Sequence, residues 1–313
     1  MKTINFLAPT FLALVAANSA SALNVLVVND DGCNATGIAA VASALSTAGH
    51  QVTVVAPSGN QSGTGSRQTL PDTKVGQLVA TFNTSTNAAG YTCISATLSG
   101  APGSSVPSTT ASATPRDAVL IGLKLLAAQN ITPDLVVSGV NEGANVGELT
   151  TPSGTVSAAV AALRSGIPAI AMSADILNRQ APILYADAAN FVVKVVAKLS
   201  SVRRNKDKLL PDHVALNLNY PQVAPKGVKY THIGEWTQIN IVPAATSTPG
   251  QFEINFLNSN GIVSSTLPSK PDLSLEGQAL ASGYVTVSGM DGQWDVDPLR
   301  STYIATALSG LKP

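Results

Sequence analysis

Apolar and polar positions along the chain alternate between two signatures. Asn24 to Val28 is a short β-branched run that ends in the polar Asn29-Asp30-Asp31-Gly32, the pattern of a buried strand opening into a loop. Ile38, Val41, Ala42 and Leu45 then recur at helical spacing along one face, and Gly49 closes that helix. Val52 to Ala56 predicts a second strand, followed by a polar loop from Pro57 to Thr69. Strand, helix and strand in such quick succession form the βαβ unit of a parallel sheet.

The pattern repeats downstream. Ala118 to Ala128 reads as helix, and Leu135 to Val137 as a strand opening into Ser138-Gly139-Val140-Asn141-Glu142-Gly143. Thr155 to Leu163 predicts a helix and Ala169 to Met172 a strand. Ala188, Phe191, Val192, Val195 and Leu199 mark a long amphipathic helix, and Val214 to Leu218 a further strand. Alternation of this kind predicts an α/β fold with a doubly wound, mostly parallel sheet. Two stretches break the rhythm. Thr81 to Thr114, rich in Ser, Thr, Ala and Gly, reads as a loop or hairpin region. Beyond Tyr220 the helical period fades, leaving strand-like pieces such as Phe252 to Phe256 and Tyr284 to Val287 between Pro and Gly, with a short terminal helix over Arg300 to Leu308. The expected organisation is an α/β catalytic core over 23–220 and a β-rich C-terminal appendage over 221–313.

The first 22 residues read as an address. Lys2 precedes an apolar run from Phe6 to Ala17, and Ala20-Ser21-Ala22 supplies small residues for cleavage, so a mature, secreted chain is expected to start at Leu23. No later segment has eighteen uninterrupted apolar residues, and no membrane partner is expected. The 18 basic and 18 acidic residues cancel, which disfavours a stable nucleic-acid complex. Two cysteines, Cys33 and Cys93, are too few for a disulfide scaffold or a cysteine-ligated zinc; one bridge between them suits an oxidising compartment, and the sequence leaves it open. Sequons at Asn34, Asn60, Asn83 and Asn130 are candidate glycan acceptors in a secreted protein.

Open α/β sheets bind ligands beyond the carboxyl ends of their strands, near the point where the winding reverses. Three polar loops follow predicted strands: Asn29 to Gly32, Ser58 to Gly63, and Ser138 to Asn141. Adjacent carboxylates at Asp30 and Asp31 repel one another, and burial adds to the cost. A hard divalent cation offsets both, since Mg²⁺, Mn²⁺ and Ca²⁺ prefer carboxylate, hydroxyl and amide oxygens. Asp30, Asp31, Ser62 and Asn141 supply such a set; the plainer alternative is a solvated Asp-Asp-Gly turn. Ser153-Gly154-Thr155 before a helix reads either as a phosphate seat or as an ordinary N-cap. Several chemistries lack their signatures. There is no Gly-x-Ser-x-Gly elbow, no phosphate-binding Gly-x-x-x-x-Gly-Lys-Ser/Thr loop and no Gly-x-Gly-x-x-Gly after the first strand. His50, His213 and His232 lack zinc-ligand spacing.

Taken in order, Asn29-Asp30-Asp31-Gly32 with Gly37-Ile38, Ala56-Pro57 with Asn60-Gln61-Ser62-Gly63, the run Pro133 to Gly147, and Ser153-Gly154-Thr155-Val156 resemble the motifs of the SurE family of nucleotidases and phosphatases. The resemblance implies one Mg²⁺ or Mn²⁺ at Asp30, Asp31, Ser62 and Asn141, with Ca²⁺ a further candidate. It implies hydrolysis of nucleoside 5′- and 3′-monophosphates or related phosphate monoesters, with Asp30 and Asp31 catalytic. Asn29, Asn60, Gly63, Asn145, Ser153, Gly154 and Thr155 become candidate substrate and phosphate contacts. A homodimer or homotetramer, assembled through the C-terminal part, is also implied. Departures at Ser58-Gly59, Cys33 and Glu276 bear on specificity and assembly more than on metal chemistry. The competing function is a secreted, non-catalytic binding protein on a degenerate form of the same fold.

Overall fold

A computed structural model describes residues 22–178, 180–203, 208–237, 239, 243–253, 257–258, 261–262 and 266–292. The expected leader, except residue 22, the terminal helix over Arg300 to Leu308, and residues 254–256 of one expected strand lie outside the described residues.

In chain order the elements are β1 (Asn24–Val28), α1 (Thr36–Thr47), β2 (Gln51–Pro57), β3 (Val79–Thr86), β4 (Thr92–Ser99), β5 (Thr109–Ser112), α2 (Pro115–Ala127), β6 (Leu135–Glu142), α3 (Gly154–Arg164), β7 (Ala169–Ala174), α4 (Tyr185–Val202), β8 (Ala215–Tyr220) and β9 (Val228–Thr231). Four two-residue strands follow, β10 (Ala244–Ala245), β11 (Phe252–Glu253), β12 (Leu257–Asn258) and β13 (Gly261–Ile262), then α5 (Glu276–Ala281) and β14 (Val285–Met290).

The main sheet runs β3-β4-β2-β1-β6-β7-β8-β14-β9, with β5 pairing on β4. From β2 through β8 it is parallel, as the unbroken apolar strands require. α1 and α4 cover one face. Ile38, Val41, Ala42 and Leu45 join Ala188, Val192 and Val196 in one buried cluster against β1, β6 and β7. α2 and α3 cover the other face, where Ala118, Val119, Leu126, Val156, Ala159 and Ala162 pack on Leu26, Val136 and Ala171. Helices on both faces make the sheet doubly wound.

Two regions differ in detail from the sequence reading. The polar stretch Thr81 to Thr114 is an ordered antiparallel extension in which β4 pairs with both β3 and β5. β3 and β5 carry mostly exposed Thr and Ser, whereas β4 between them buries Cys93, Ile94 and Ala96. The chain after Tyr220 also returns to the sheet. β14 lies between β8 and β9, antiparallel to the first and parallel to the second, so part of the β-rich C-terminal region continues the core. No helix among the described residues is long and apolar enough to cross a membrane.

Candidate metal and phosphate site

β1 is the switch point of the winding. The chain leaves it toward β2 on one side and returns on the other through β6, with Val27 opposite Val54 of β2 and Val28 opposite Ser138 of β6. The loops that extend β1, β2 and β6 therefore meet at one edge.

The first loop is tied internally. Asn29, fully buried, donates through Nδ2 to the Gly32 carbonyl at 2.9 Å and accepts the Gly32 N–H at 3.2 Å. Gly32 has φ +104°, and a Cβ there would meet the Gly59 backbone at 3.1–3.2 Å, so the first and second loops touch. The Gln61 N–H donates to the Asp30 carbonyl at 2.7 Å, which ties the residue before Ser62 to the acidic pair. Ser62 is exposed, and its N–H is held by Asn60 Oδ1 at 2.9 Å. The expected third loop, Ser138 to Asn141, lies within the end of β6, and from the strand's last residue the Glu142 N–H donates to Asp31 Oδ2 at 3.1 Å, next along the chain from Asn141. A register shift between Gly139 and Asn141, next to the cis Gly139–Val140 peptide, interrupts pairing with β7 at this point. Asn141 Nδ2 is committed to the Gly143 carbonyl at 2.7 Å, and Oδ1 accepts no hydrogen bond from a described residue. Asp30, Asp31, Ser62 and Asn141 thus belong to two loops and a strand end that are bonded directly to one another.

The fourth motif contributes differently from a plain phosphate seat. Ser153 is the N-cap of α3, accepting the Val156 N–H at 3.1 Å. The Thr155 hydroxyl donates to Asp30 Oδ1. Gly154 lies so close that a Cβ would sit 2.6 Å from Asp30 Cβ. The start of α3 therefore holds Asp30. Asn145 is also engaged: Nδ2 donates to Ser173 Oγ at 2.9 Å, its N–H reaches Asn219 Oδ1 at 2.8 Å, and its carbonyl accepts from Asn217 and Asn219. Asn60 and Gly63 remain exposed on the rim of the second loop.

Electrostatics single out the acidic pair. Burial raises the Asp30 carboxyl above its ordinary range, against the Thr155 hydroxyl and the Gly154 and Thr155 backbone, which favour the ionised form. Burial also raises Asp31, and the charges of Asp30 and Glu142 push it the same way. Two carboxyls strained upward, beside an uncommitted amide oxygen and an exposed hydroxyl, fit a hard divalent cation and oxygen ligation.

Two residues escaped the sequence reading. Glu142 holds Asp31 through its backbone, and its carboxylate accepts the Tyr185 hydroxyl at 3.2 Å from the first turn of α4. Glu142 lay inside the longest motif and was readable there; Tyr185 carried no sequence signal.

The family model for the survival protein SurE matches residues 25–240. The chain belongs to the SurE family. It is 33% identical over 279 residues to the 5′-nucleotidase SurE of Picosynechococcus sp., covering 86% of this chain and 91% of that protein. It is 36% identical over 219 residues to the 5′-nucleotidase SurE of Deinococcus radiodurans, covering 70% of each. The crystal structure of the SurE protein from Aquifex aeolicus superposes with a TM-score of 0.67 at 26% identity, covering 91% of this chain and 99% of that one. The four motifs that form the acidic corner all lie inside the matched span.

Proposed function

We propose that this SurE-family chain is a divalent-cation-dependent phosphoric monoester hydrolase acting on nucleoside 5′- or 3′-monophosphates or related monoesters. The observation that carries the reading is the direct bonding of the loops after β1 and β2 and the end of β6 around Asp30 and Asp31. The nucleotidase names of the relatives agree with it.

In this reading Asp30, Asp31, Ser62 and Asn141 hold Mg²⁺ or Mn²⁺, and Ca²⁺ is a candidate to be tested beside them. Such a cation, when bound, supplies polarisation of the phosphoryl oxygens. Asn60, whose Nδ2 accompanies an Oδ1 already used by the Ser62 N–H, and the Gly63 backbone donate to the remaining phosphoryl oxygens. Asp30 or Asp31 orients the attacking water and takes its proton. Thr155 keeps Asp30 from rotating away, and Glu142 keeps Asp31 in place. A non-catalytic binding protein is less well supported, because every oxygen donor the metal set needs is present.

The test is phosphate release from nucleoside monophosphates with Mg²⁺, Mn²⁺ or Ca²⁺ and after EDTA. Release that requires a cation supports the reading; silence with every cation, or release unaffected by chelation, rejects it. We extend the proposal to a secreted, homo-oligomeric protein. The leader pattern and the Cys33–Cys93 bridge support secretion. The exposed Tyr230 and Val228 on the sheet's last strand support self-association. N-terminal sequencing from the culture medium, expected to begin at Leu23, and light scattering check these two points.

A further inference from the structure

We propose that the cavity between α2, α3 and β14 is a second anion site, separate from the acidic corner, that takes a phosphate group carried on a small organic body. The cavity holds about 520 Å³, within the range of small-molecule sites and far larger than a lone phosphate needs. Its polar wall is built around Arg116. This guanidinium makes no hydrogen bond or ion pair with any described residue, and its Nε is fully buried without a partner. A buried donor left unmatched is costly, and a cationic one more so. The adjacent carboxylate, Asp117, does not answer it, because Asp117 is consumed by the Thr114 N–H and by Thr69. As the second residue of α2, Arg116 also stands where the helix itself favours an anion.

Across the cavity Arg164 spends Nε and one terminal nitrogen on the Gly292 carbonyl and lines the same space. Hydroxyls of Ser66 and Ser157 join the lining, while Val160 and Met290 give it an apolar side. Among the described lining residues two guanidiniums stand against one carboxylate, that of Asp291. The guanidinium fork matches a phosphate or similar oxyanion, and the apolar side matches the body that carries it.

The cavity and the acidic corner lie on opposite sides of the first turn of α3. Thr155 points to Asp30, whereas Val156 and Ser157 line the cavity. The second loop is divided likewise: Ser62 stands beside the acids, Ser66 faces the cavity, and the Gly65 N–H bonds the Pro152 carbonyl between them. A ligand can therefore occupy the cavity without touching any proposed metal ligand, and the inference does not rest on the proposed hydrolysis.

The test titrates inorganic phosphate and a nucleoside monophosphate, each in EDTA, into Asp31→Asn protein, so that the acidic corner is disabled. Saturable binding is expected to persist, tighter for the nucleoside monophosphate. Adding Arg116→Met is expected to weaken it by about tenfold or more, the scale of one charge-assisted hydrogen bond, and Arg116→Lys by less. Far-UV circular dichroism and a melting curve check that each variant is folded; Arg164→Met, expected to weaken binding too, serves if Arg116→Met is not. No saturable binding to Asp31→Asn protein, or equal affinity in folded Arg116→Met protein, overturns the proposal. Equal affinity for both probes removes the organic body from it. If the parent chain hydrolyses no monoester while Arg116-dependent binding persists, the hydrolase reading fails and this one stands.

Discussion

Two of the places where the molecule buries carboxyl groups resolve the cost differently. At the ends of β1 and β6, Asp30 and Asp31 sit side by side, with Glu142 adding a third negative charge, so neighbours of like sign aggravate the burial. Against β8 and β14 Glu276, fully buried, is ringed by neutral donors: the Gly147 N–H at 3.0 Å, Asn217 Nδ2 at 3.1 Å and the Ser288 hydroxyl at 2.8 Å. Burial pushes Glu276 up to about 7 against those hydrogen bonds. A single buried acid among neutral donors is relieved by a proton. A facing pair in a partly open loop is relieved best by a cation. The first arrangement joins β14 and α5 to the core; the second is suited to chemistry.

Removing one member of the pair tests that contrast most severely. Asp30→Asn keeps the shape and removes half the acidic charge. Phosphate release is expected to fall on the order of 10³-fold, about 4 kcal/mol of transition-state stabilisation, with weaker cation binding in parallel. Turnover within tenfold of the parent would show that the pair is not the reacting centre. The Cys33–Cys93 bridge probes the frame around the same loop. It closes a span of 60 residues with Cα atoms 5.4 Å apart. Replacing both cysteines by serine is expected to lower unfolding free energy by up to about 4 kcal/mol on the chain-entropy model. Activity of the folded protein should change much less, because Asn29 and Gly32 still tie the loop. Melting curves and assays at a temperature where the variant stays folded separate the two effects.

Glu276→Gln sharpens the other half of the comparison. The folded pKa of about 7 exceeds the ordinary 4.5, so the native state holds this proton more tightly than the unfolded chain. Its stabilising contribution is complete below about pH 4.5 and is lost as pH rises through about 7, at most about 3 kcal/mol. Glutamine keeps the shape without the titration, and the Ser288 hydroxyl can turn to accept from it. The parent's unfolding free energy should fall relative to the variant's across that window, while hydrolysis changes little. Parallel stability curves would remove Glu276 as the titrating group.

The same contrast separates what the sequence disclosed from what it hid. The apolar face Ile38, Val41, Ala42 and Leu45 was legible because burial against a sheet imposes a helical period, and all four are buried as that period requires. Asp30 and Asp31 were legible because a buried strand leads straight into them. Glu276 was legible only as a departure from the family pattern, and its burial was not, because β8 and β14 meet over it only in the fold. Thr81 to Thr114 was legible as a loop or hairpin region, but its strand bounds were not, because β3 and β5 carry mostly exposed Thr and Ser. The cysteine pairing was undecidable from spacing alone. It follows from β2 and β4 lying side by side, with Ala56 opposite Cys93 and the Cys33 N–H bonded to the Pro57 carbonyl. Ser153 stands before a helix as expected and Thr155 in its first turn, but only the fold aims the Thr155 hydroxyl at a carboxylate 125 residues earlier.

That hydroxyl supports the last and smallest prediction. Thr155 is fully buried, and Asp30 Oδ1 accepts a hydrogen bond from its hydroxyl. Thr155→Val replaces the hydroxyl by a methyl of similar volume, so the packing of α3 on the sheet is kept and the hydrogen bond alone is lost. Asp30 then loses the largest influence favouring its ionised form, and its pKa should climb further. Cation affinity and kcat/KM should fall tenfold to a hundredfold, the usual effect of losing a partner that orients a metal ligand. The loss should be worse at low pH, where the less acidic Asp30 competes with a proton for the cation. Thr155→Ser retains the donor and should recover most of the activity. If valine and serine behave alike, Asp30 is held by the Gly154 and Thr155 backbone alone, and the acidic corner depends on the placement of α3 and not on its side chain.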